Sequence, residues 1–476
     1  MVRFENPSMI FPDSLRKTLE VQRFGNRNRV RKVFDATTSP NILRLQLHPE
    51  ESTPRNESIA TPIKPAHQSA FGQSLQRAWL VARRWNGHSR TSLSKKGTRP
   101  MAAKELHWGV NEKEGRPAQC PWLAHLNSSS SVGDGLSHLD EEIRALERYL
   151  IPSPQEQASI DRIFHGFSTL VTEVLPHPPQ MVGSRSTGMA LSYSNLNLFL
   201  PATRPKSHLN ALRDVEMVLQ QQSVFHCHSD RSPSRLPVAT WFHSATGLQV
   251  HVSCVENLPS SLEKVKLYGA EYPALRPLYV AIRMILEVHG VFGSYNSSIR
   301  PYGLLLLIVA ALKLDHNRSF HQRASLGEQL LHVLHTYSSA VDFRTTGVAV
   351  EPPGFFNSKT FQEKHAVASS EHQPAQLRGQ LSLLRRKEKA LRRSNHPWAE
   401  RLCIQDPDNY MKDLGLSCLR SVELQKIMAE THQRLHETIA TWNDRGSTAK
   451  DSVLGSVLKA NFTEFEGLRN RITRYG

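Results

Sequence analysis

The stretch MVGSRSTGMALSYSNLNLFLP, residues 181–201, decides how this chain is read. It opens on Gly183-Ser184, a pair expected to make a tight turn. A short helix start is expected after the turn. Residues 195–200 then alternate polar and apolar, a period of two that predicts a strand. Side chains at positions i and i+2 of a strand share a face, so Asn195 and Asn197 stand together just beyond the turn.

Outward from this stretch the pattern is helical, then extended, then helical. Leu139, Ile143, Leu146 and Leu150 share one face of a helix over 139–150, stopped by Pro152 and Pro154. Its acidic residues are expected in the first turn, where the helix dipole favours them. Ile160, Ile163, Phe164, Phe167 and Val171 make a second amphipathic helix over 158–175. Residues 236–254 alternate as two strands broken at Thr246-Gly247. After Glu271 the pattern is helical throughout, with segments at 274–288, 302–314, 326–337, 377–393 and 421–438.

The chain has 476 residues, 28 prolines, 39% hydrophobic residues and a formal net charge of +16. That balance favours an anionic partner, nucleic acid first. Five widely spaced cysteines without a CxxC pair fit a reduced compartment better than a disulfide-stapled secreted fold. No secretory signal is visible at Met1, and the apolar run at 304–312 is too short to span a bilayer.

Residues 1–136 are rich in Ser, Pro, Asn and Arg, with few periodic apolar positions, so disorder is expected there. Within them, 58–104 holds no acidic residue. An acid-free, Arg-rich amphipathic stretch resembles a mitochondrial targeting segment, although Glu5, Asp13 and Glu20 precede it. The alternative is a basic tail that touches RNA in the nucleus or cytoplasm.

Five blocks together resemble one known family. They are LDEEIRALERYLIPSPQE, GSRSTGMALSYSNLNLFLP, RLPVATWFHSATGLQVHVSC, YPALRPLYVAIRMIL with the helix from Tyr302, and LGEQLLHVLHTYSSAVDF with LCIQDPDNYMKDLGLS. In this order they resemble the terminal nucleotidyltransferases of the polymerase β superfamily. The likeness is to the poly(A) and poly(U) RNA polymerases that carry a PAP-associated domain, the mitochondrial ones included. The resemblance implies an α+β fold: a polymerase-β-like palm over 137–265, including the leader helix, joined to a helical central and PAP-associated domain over 266–460. Residues 461–476 are left as a C-terminal tail. The leader helix is expected to pack on the helical domain, making the palm an insertion between its two parts.

In that family two aspartates lie at the strand positions held here by Asn195 and Asn197, and a third at the position of His251. The family's reaction is an in-line displacement at phosphorus in which two metal ions clamp the attacking and leaving oxygens. Mg²⁺ is a hard cation that wants carboxylate oxygen, and His offers it a nitrogen. No acidic residue occurs between Glu173 and Asp214, or between Asp230 and Glu256, so no nearby carboxylate stands in. The resemblance also assigns nucleotide contacts to Gly183 and Ser184, to Arg283 in place of a phosphate-binding Lys, and to Tyr302 as the base-stacking Tyr. Asp406 belongs to the family's E-D-P loop, which reads Gln405-Asp406-Pro407 here.

The expectation is a catalytically inactive member that binds RNA, or partners an active RNA polymerase or RNA-processing complex, with no metal and no cofactor. The alternative is an active adenylyl- or uridylyltransferase with an atypical metal site, using Mg²⁺ or Mn²⁺ with ATP or UTP. Two side readings are weighed. His226, Cys227 and His228 with His243 match no common zinc spacing. The run RRKEKALRR, 385–393, reads as a solvated helix face docked through Leu377, Leu381, Leu384 and Leu391, with a basic side able to contact phosphate.

Overall fold

The computed structural model describes residues 106–126, 134–175, 177–201, 205–227, 238–255, 257–293, 297–314, 324–360, 374–445 and 451–475. The acid-free stretch 58–104 and its targeting reading lie outside the described residues, as does His228.

Helix α1 (Gly135–Leu150) starts a turn earlier than its apolar stripe suggests, because the Asp134 side chain caps it by accepting the Ser137 N–H. Its first turn therefore holds no acid. Glu142 lies deeper, fully buried, where it accepts from Trp122 Nε1 at 3.0 Å and the Val453 N–H at 2.6 Å. Helix α2 (Pro154–Thr172) begins at a capping box between Ser153 and Glu156, with proline at its first position.

The palm is a five-stranded sheet of order β1-β2-β5-β4-β3. The strands are β1 (Gln180–Val182), β2 (Leu196–Pro201), β3 (Phe225–Cys227), β4 (Val238–His243) and β5 (Gln249–Val255). Helix α3 (Pro205–Gln220) follows β2. Among these strands only β2 and β5 pair in parallel, with Asn197 opposite His251. The β4–β5 turn is made at Gly247, whose φ of +76° suits glycine. Leu196, Leu198, Leu200, Val250 and Val252 bury one sheet face against Ile160, Ile163, Phe167 and Val171 of α2.

The second core is helical. It holds α4 (Ser261–Glu271), α5 (Leu275–Val288), α6 (Pro301–Leu314), α7 (Leu326–His335) and α10 (Ser421–Arg445). Helix α6 is apolar on all sides and buried on all sides from Gly303 to Leu312. No helix among the described residues is long and apolar enough to cross a membrane. Helix α1 packs on α5, α7 and α10 while α2 lies on the sheet, so the palm is inserted between parts of the helical core, as expected.

Four details depart from the sequence pattern. Residues 106–126, expected to be disordered, pack against α1: Trp108 and Trp122 enter the helical core, in ring contact with Phe462. The helical half is interrupted by a hairpin, β6 (Gly347–Val350) and β7 (Pro353–Phe356), where short β-branched and aromatic runs flank a Pro-Pro turn. Helix α8 (Ala375–Arg392) docks through Leu383 and Leu384, with Leu377 and Leu381 at the margin, but Leu391 is 57% exposed. After the short α9 (His396–Glu400) and α10, the expected tail forms α11 (Thr463–Arg474). Phe465 of α11 enters the helical core and Leu468 and Ile472 enter the palm core.

Candidate functional site

At the end of β1 the chain reverses at Gly183, φ +74°. A Cβ there would stand 2.8 Å from Asn197 Nδ2, so the position needs glycine for both conformation and space. The expected helix start does not form. The hydroxyls of Ser186 and Thr187 turn back on the Gly183 carbonyl at 3.0 and 3.1 Å, offering the backbone an alternative to a helical turn. Residues 183–188 are a run of turns, closed by the Met189 N–H donating to the Ser184 carbonyl. Ser184 therefore caps no helix.

Arg185 points inward. Its guanidinium donates to the Ser192 and Ser194 carbonyls and so holds the loop that leads into β2. Burial pulls its pKa down to about 10, which leaves it charged at neutral pH. Sequence reasoning passed over this residue.

The loop delivers Asn195 and Asn197 to the start of β2, inside the sheet, beside His251 on β5. Asn195 Nδ2 is 3.3 Å from His251 Nε2, and that nitrogen is 3.2 Å from Gln249 Oε1. Nε2 accepts from Asn195 in one tautomer and donates to Gln249 in the other. Burial lowers the His251 pKa, so the ring is neutral at pH 7. The structure thus brings Gly183, Asn195, Asn197 and His251 together into a cluster without charge. A pair of Mg²⁺ ions does not fit it: two amides and one neutral imidazole supply no carboxylate, and the protein has no acid nearby in sequence to add one.

Arg283, on α5, does not stand free for a phosphate. Its Nε donates to Glu287 at 3.1 Å, and its guanidinium lies 5.0 Å from the ring centroids of both Tyr193 and Phe292. Tyr193 belongs to the loop that leads into β2, and its hydroxyl donates to the same Glu287 carboxylate at 2.9 Å. Burial works against the Arg283 charge, but Tyr193 and Glu287 outweigh it and the pKa is raised. The cation is spent on tying the palm loop to α5. Glu287 is four residues beyond Arg283 on a helix, a spacing that could have flagged the pair.

Tyr302 opens α6, half-buried, with its hydroxyl lacking a partner. Burial, then Asp406, Asp408 and Glu351, push its pKa up. Asp406 accepts from the Asp408 N–H and pairs with Lys412, both at 2.9 Å. Gln405 bonds the Gln376 and Tyr410 carbonyls and so serves the loop's own shape. Lys264 pairs with Glu351 at 2.7 Å, and Lys313 lies 3.8 Å from Glu271. Around Tyr302, then, these cations are matched by carboxylates of the protein itself.

His243 is occupied by Thr246 Oγ1 at 2.9 Å, while His226 and Cys227 are exposed. Among the described residues no group of three or more His, Cys, Asp or Glu is placed to hold a metal ion.

A parallel β2–β5 pair carrying a Gly-Ser turn, inserted in a helical domain, is the layout of a polymerase-β-like nucleotidyltransferase. The comparisons agree. The polymerase core of TRAMP, an RNA surveillance complex, superposes with a TM-score of 0.56 at 17% identity, over 71% of this chain and 99% of that one. An mtPAP mutant bound to ATPgammaS gives 0.50 at 15%, over 78% and 79%. In sequence, the chain is 25% identical to poly(A) RNA polymerase cid14 of Schizosaccharomyces pombe, over 50% of this chain and 36% of that protein. It is 22% identical to the inactive non-canonical poly(A) RNA polymerase protein Trf4-2 of Drosophila melanogaster, over 63% and 68%. The match thus spans little more than a third of the yeast relative's length. No protein-family model matches the chain. By fold and by these relatives, the chain is similar to the poly(A) polymerase-like terminal nucleotidyltransferases.

Proposed function

We propose that this chain is a catalytically silent member of its family that binds RNA and acts through an active RNA polymerase or RNA-processing complex. The observation that carries the reading is the uncharged Asn195–Asn197–His251 cluster. Electrostatic stabilisation is usually the largest catalytic term, and the metals that supply it have no carboxylate to hold them. The Arg283–Glu287–Tyr193 tie supports the same conclusion, since it removes a cation that would compensate a triphosphate. The net charge of +16 supports RNA as the ligand. A relative whose own name calls it inactive lends the idea precedent. A mitochondrial location is part of the proposal and rests on the acid-free stretch 58–104. Organelle fractionation of the full chain tests it.

The deciding experiment is primer extension. The purified chain is given a short labelled RNA and each nucleoside triphosphate with Mg²⁺ or Mn²⁺, beside an active family polymerase. No extension is expected. Extension that disappears in Asn195→Ala would overturn the reading.

A further inference from the structure

We propose that the solvent face of α8 is a docking groove for single-stranded RNA, separate from the degenerate cleft. The inference rests on the RNA-binding reading above and names the surface that carries it. A groove of roughly 540 Å³ runs along α8 and is walled on its far side by Met411. Arg378, Arg385, Arg386 and Lys389 line it, all solvent-exposed, with Leu381 as its apolar floor. These positions recur at helical spacing, so they form one stripe, about 16 Å long at roughly 1.5 Å per residue.

Three observations point to a polyanion. None of the four cations makes an ion pair among the described residues, whereas two neighbours on the same helix are engaged. Lys387 turns inward to the Phe343 carbonyl at 3.0 Å, and Arg392 pairs with Glu388 at 3.8 Å. Like charges at i and i+4, such as Arg385 and Lys389, repel on an isolated helix, and an anion relieves that cost. The groove is also preformed. A Cβ on Gly379 would stand 2.2 Å from the Tyr410 carbonyl oxygen, so α8 lies hard against the loop that carries Met411. Guanidinium groups bind phosphate bidentately, and the adaptable Met411 side chain, 51% exposed, offers apolar surface to bases. A shallow groove lined by a row of cations along one helix suits a single strand better than a flat lipid surface.

The test is fluorescence anisotropy of a labelled uridine 15-mer with the full chain across a salt series. Arg385→Ala/Arg386→Ala/Lys389→Ala is compared with Lys266→Ala/Lys426→Ala/Arg434→Ala, which removes equal charge from exposed positions on other helices. The groove variant is expected to bind at least tenfold more weakly, with a salt slope smaller by about 2, at roughly 0.7 for each phosphate no longer neutralised. The control is expected to stay within threefold of wild type. If both variants bind like wild type, or weaken equally, the groove assignment fails and the RNA-binding reading stands. If the wild-type chain does not bind the 15-mer, both fail. Polyglutamate competing as well as RNA at equal charge would reassign the groove to an acidic protein and overturn the proposal.

Discussion

Asn195, just before β2, and His251 on the neighbouring parallel strand β5 meet at 3.3 Å inside the sheet, amide nitrogen to imidazole nitrogen. The contact joins two uncharged groups where the family holds metal-binding carboxylates. Asn195→Asp/Asn197→Asp/His251→Asp would put three carboxylates on one patch. Their mutual repulsion is expected to lower the melting temperature in EDTA, and Mg²⁺ or Mn²⁺ to restore several degrees of it. Wild type is expected to show no metal-dependent shift. Thermal melts with and without metal decide it, and a metal-dependent shift in wild type would mean that another donor set binds metal.

Glu287 receives both Arg283 and Tyr193, so one carboxylate joins α5 to the loop that leads into β2. Removing one partner of a buried ion pair costs about 3–5 kcal/mol because the other charge is left uncompensated. Glu287→Ala is therefore expected to destabilise the protein by a few degrees or more, and to free Arg283. Tripolyphosphate should then raise the melting temperature of the variant more than that of wild type. Equal shifts in the two proteins would show that Arg283 does not reach the anion site.

His335, His432 and His436 meet where α7 faces α10; His432 and His436 are 3.2 Å apart through their Nε2 atoms. Burial, then neighbouring histidines, lower the pKa of His432 to about 4; burial, His332 and His436 lower that of His335; burial lowers that of His436. Their folded pKa values lie below the unfolded value near 6.5. Between the two, the unfolded chain binds more protons, so stability falls as pH falls from about 6.5 towards about 4. Each group contributes at most about 1.4 kcal/mol per pH unit. Urea midpoints for wild type and His432→Gln over this range should show a shallower slope in the variant; parallel slopes would remove His432 from the account.

Strands β2, β4 and β5 were legible because their signals are local, whereas the three-residue strands β1 and β3 and helix α3 gave no pattern that was read. Alternation over 195–200 and 236–254 and the Gly183 turn each follow from a few adjacent residues, and the Asn195–Asn197–His251 cluster followed from the family resemblance. What escaped the sequence depends on distant partners. Residues 106–126 carry little periodic pattern, and their order rests on Trp122 reaching Glu142 in the next helix and on Trp108 reaching Phe462 near the other end of the chain. Arg283 kept the charge its position implied, but its availability depended on Tyr193 from another element. The hairpin at 347–356 is too short for its period to stand out beside the helices around it.

Arg469 gives the last prediction, because it turns the C-terminal segment into a structural clamp. Its Nε and Nη2 donate to both oxygens of Glu156 at 2.9 and 2.8 Å, and its Nη1 to the Tyr149 carbonyl at 2.6 Å. Glu156 is 1% exposed. Burial pushes its carboxyl up, but Arg469 and Ser153 outweigh that and hold it below the usual carboxylate range. A depressed carboxylate pKa stabilises the fold above the unfolded value near 4.3 and loses that contribution as pH falls. Arg469→Ala leaves Glu156 buried and unpaired, so a loss of about 3 kcal/mol or more is expected at pH 7. Arg469→Lys should recover only part of it, because a point charge cannot serve both oxygens in the fork geometry. Urea midpoints at pH 7 and pH 4 read both effects, the gap between variant and wild type narrowing at the lower pH. A midpoint unchanged at pH 7 would show that α11 is a passive tail after all.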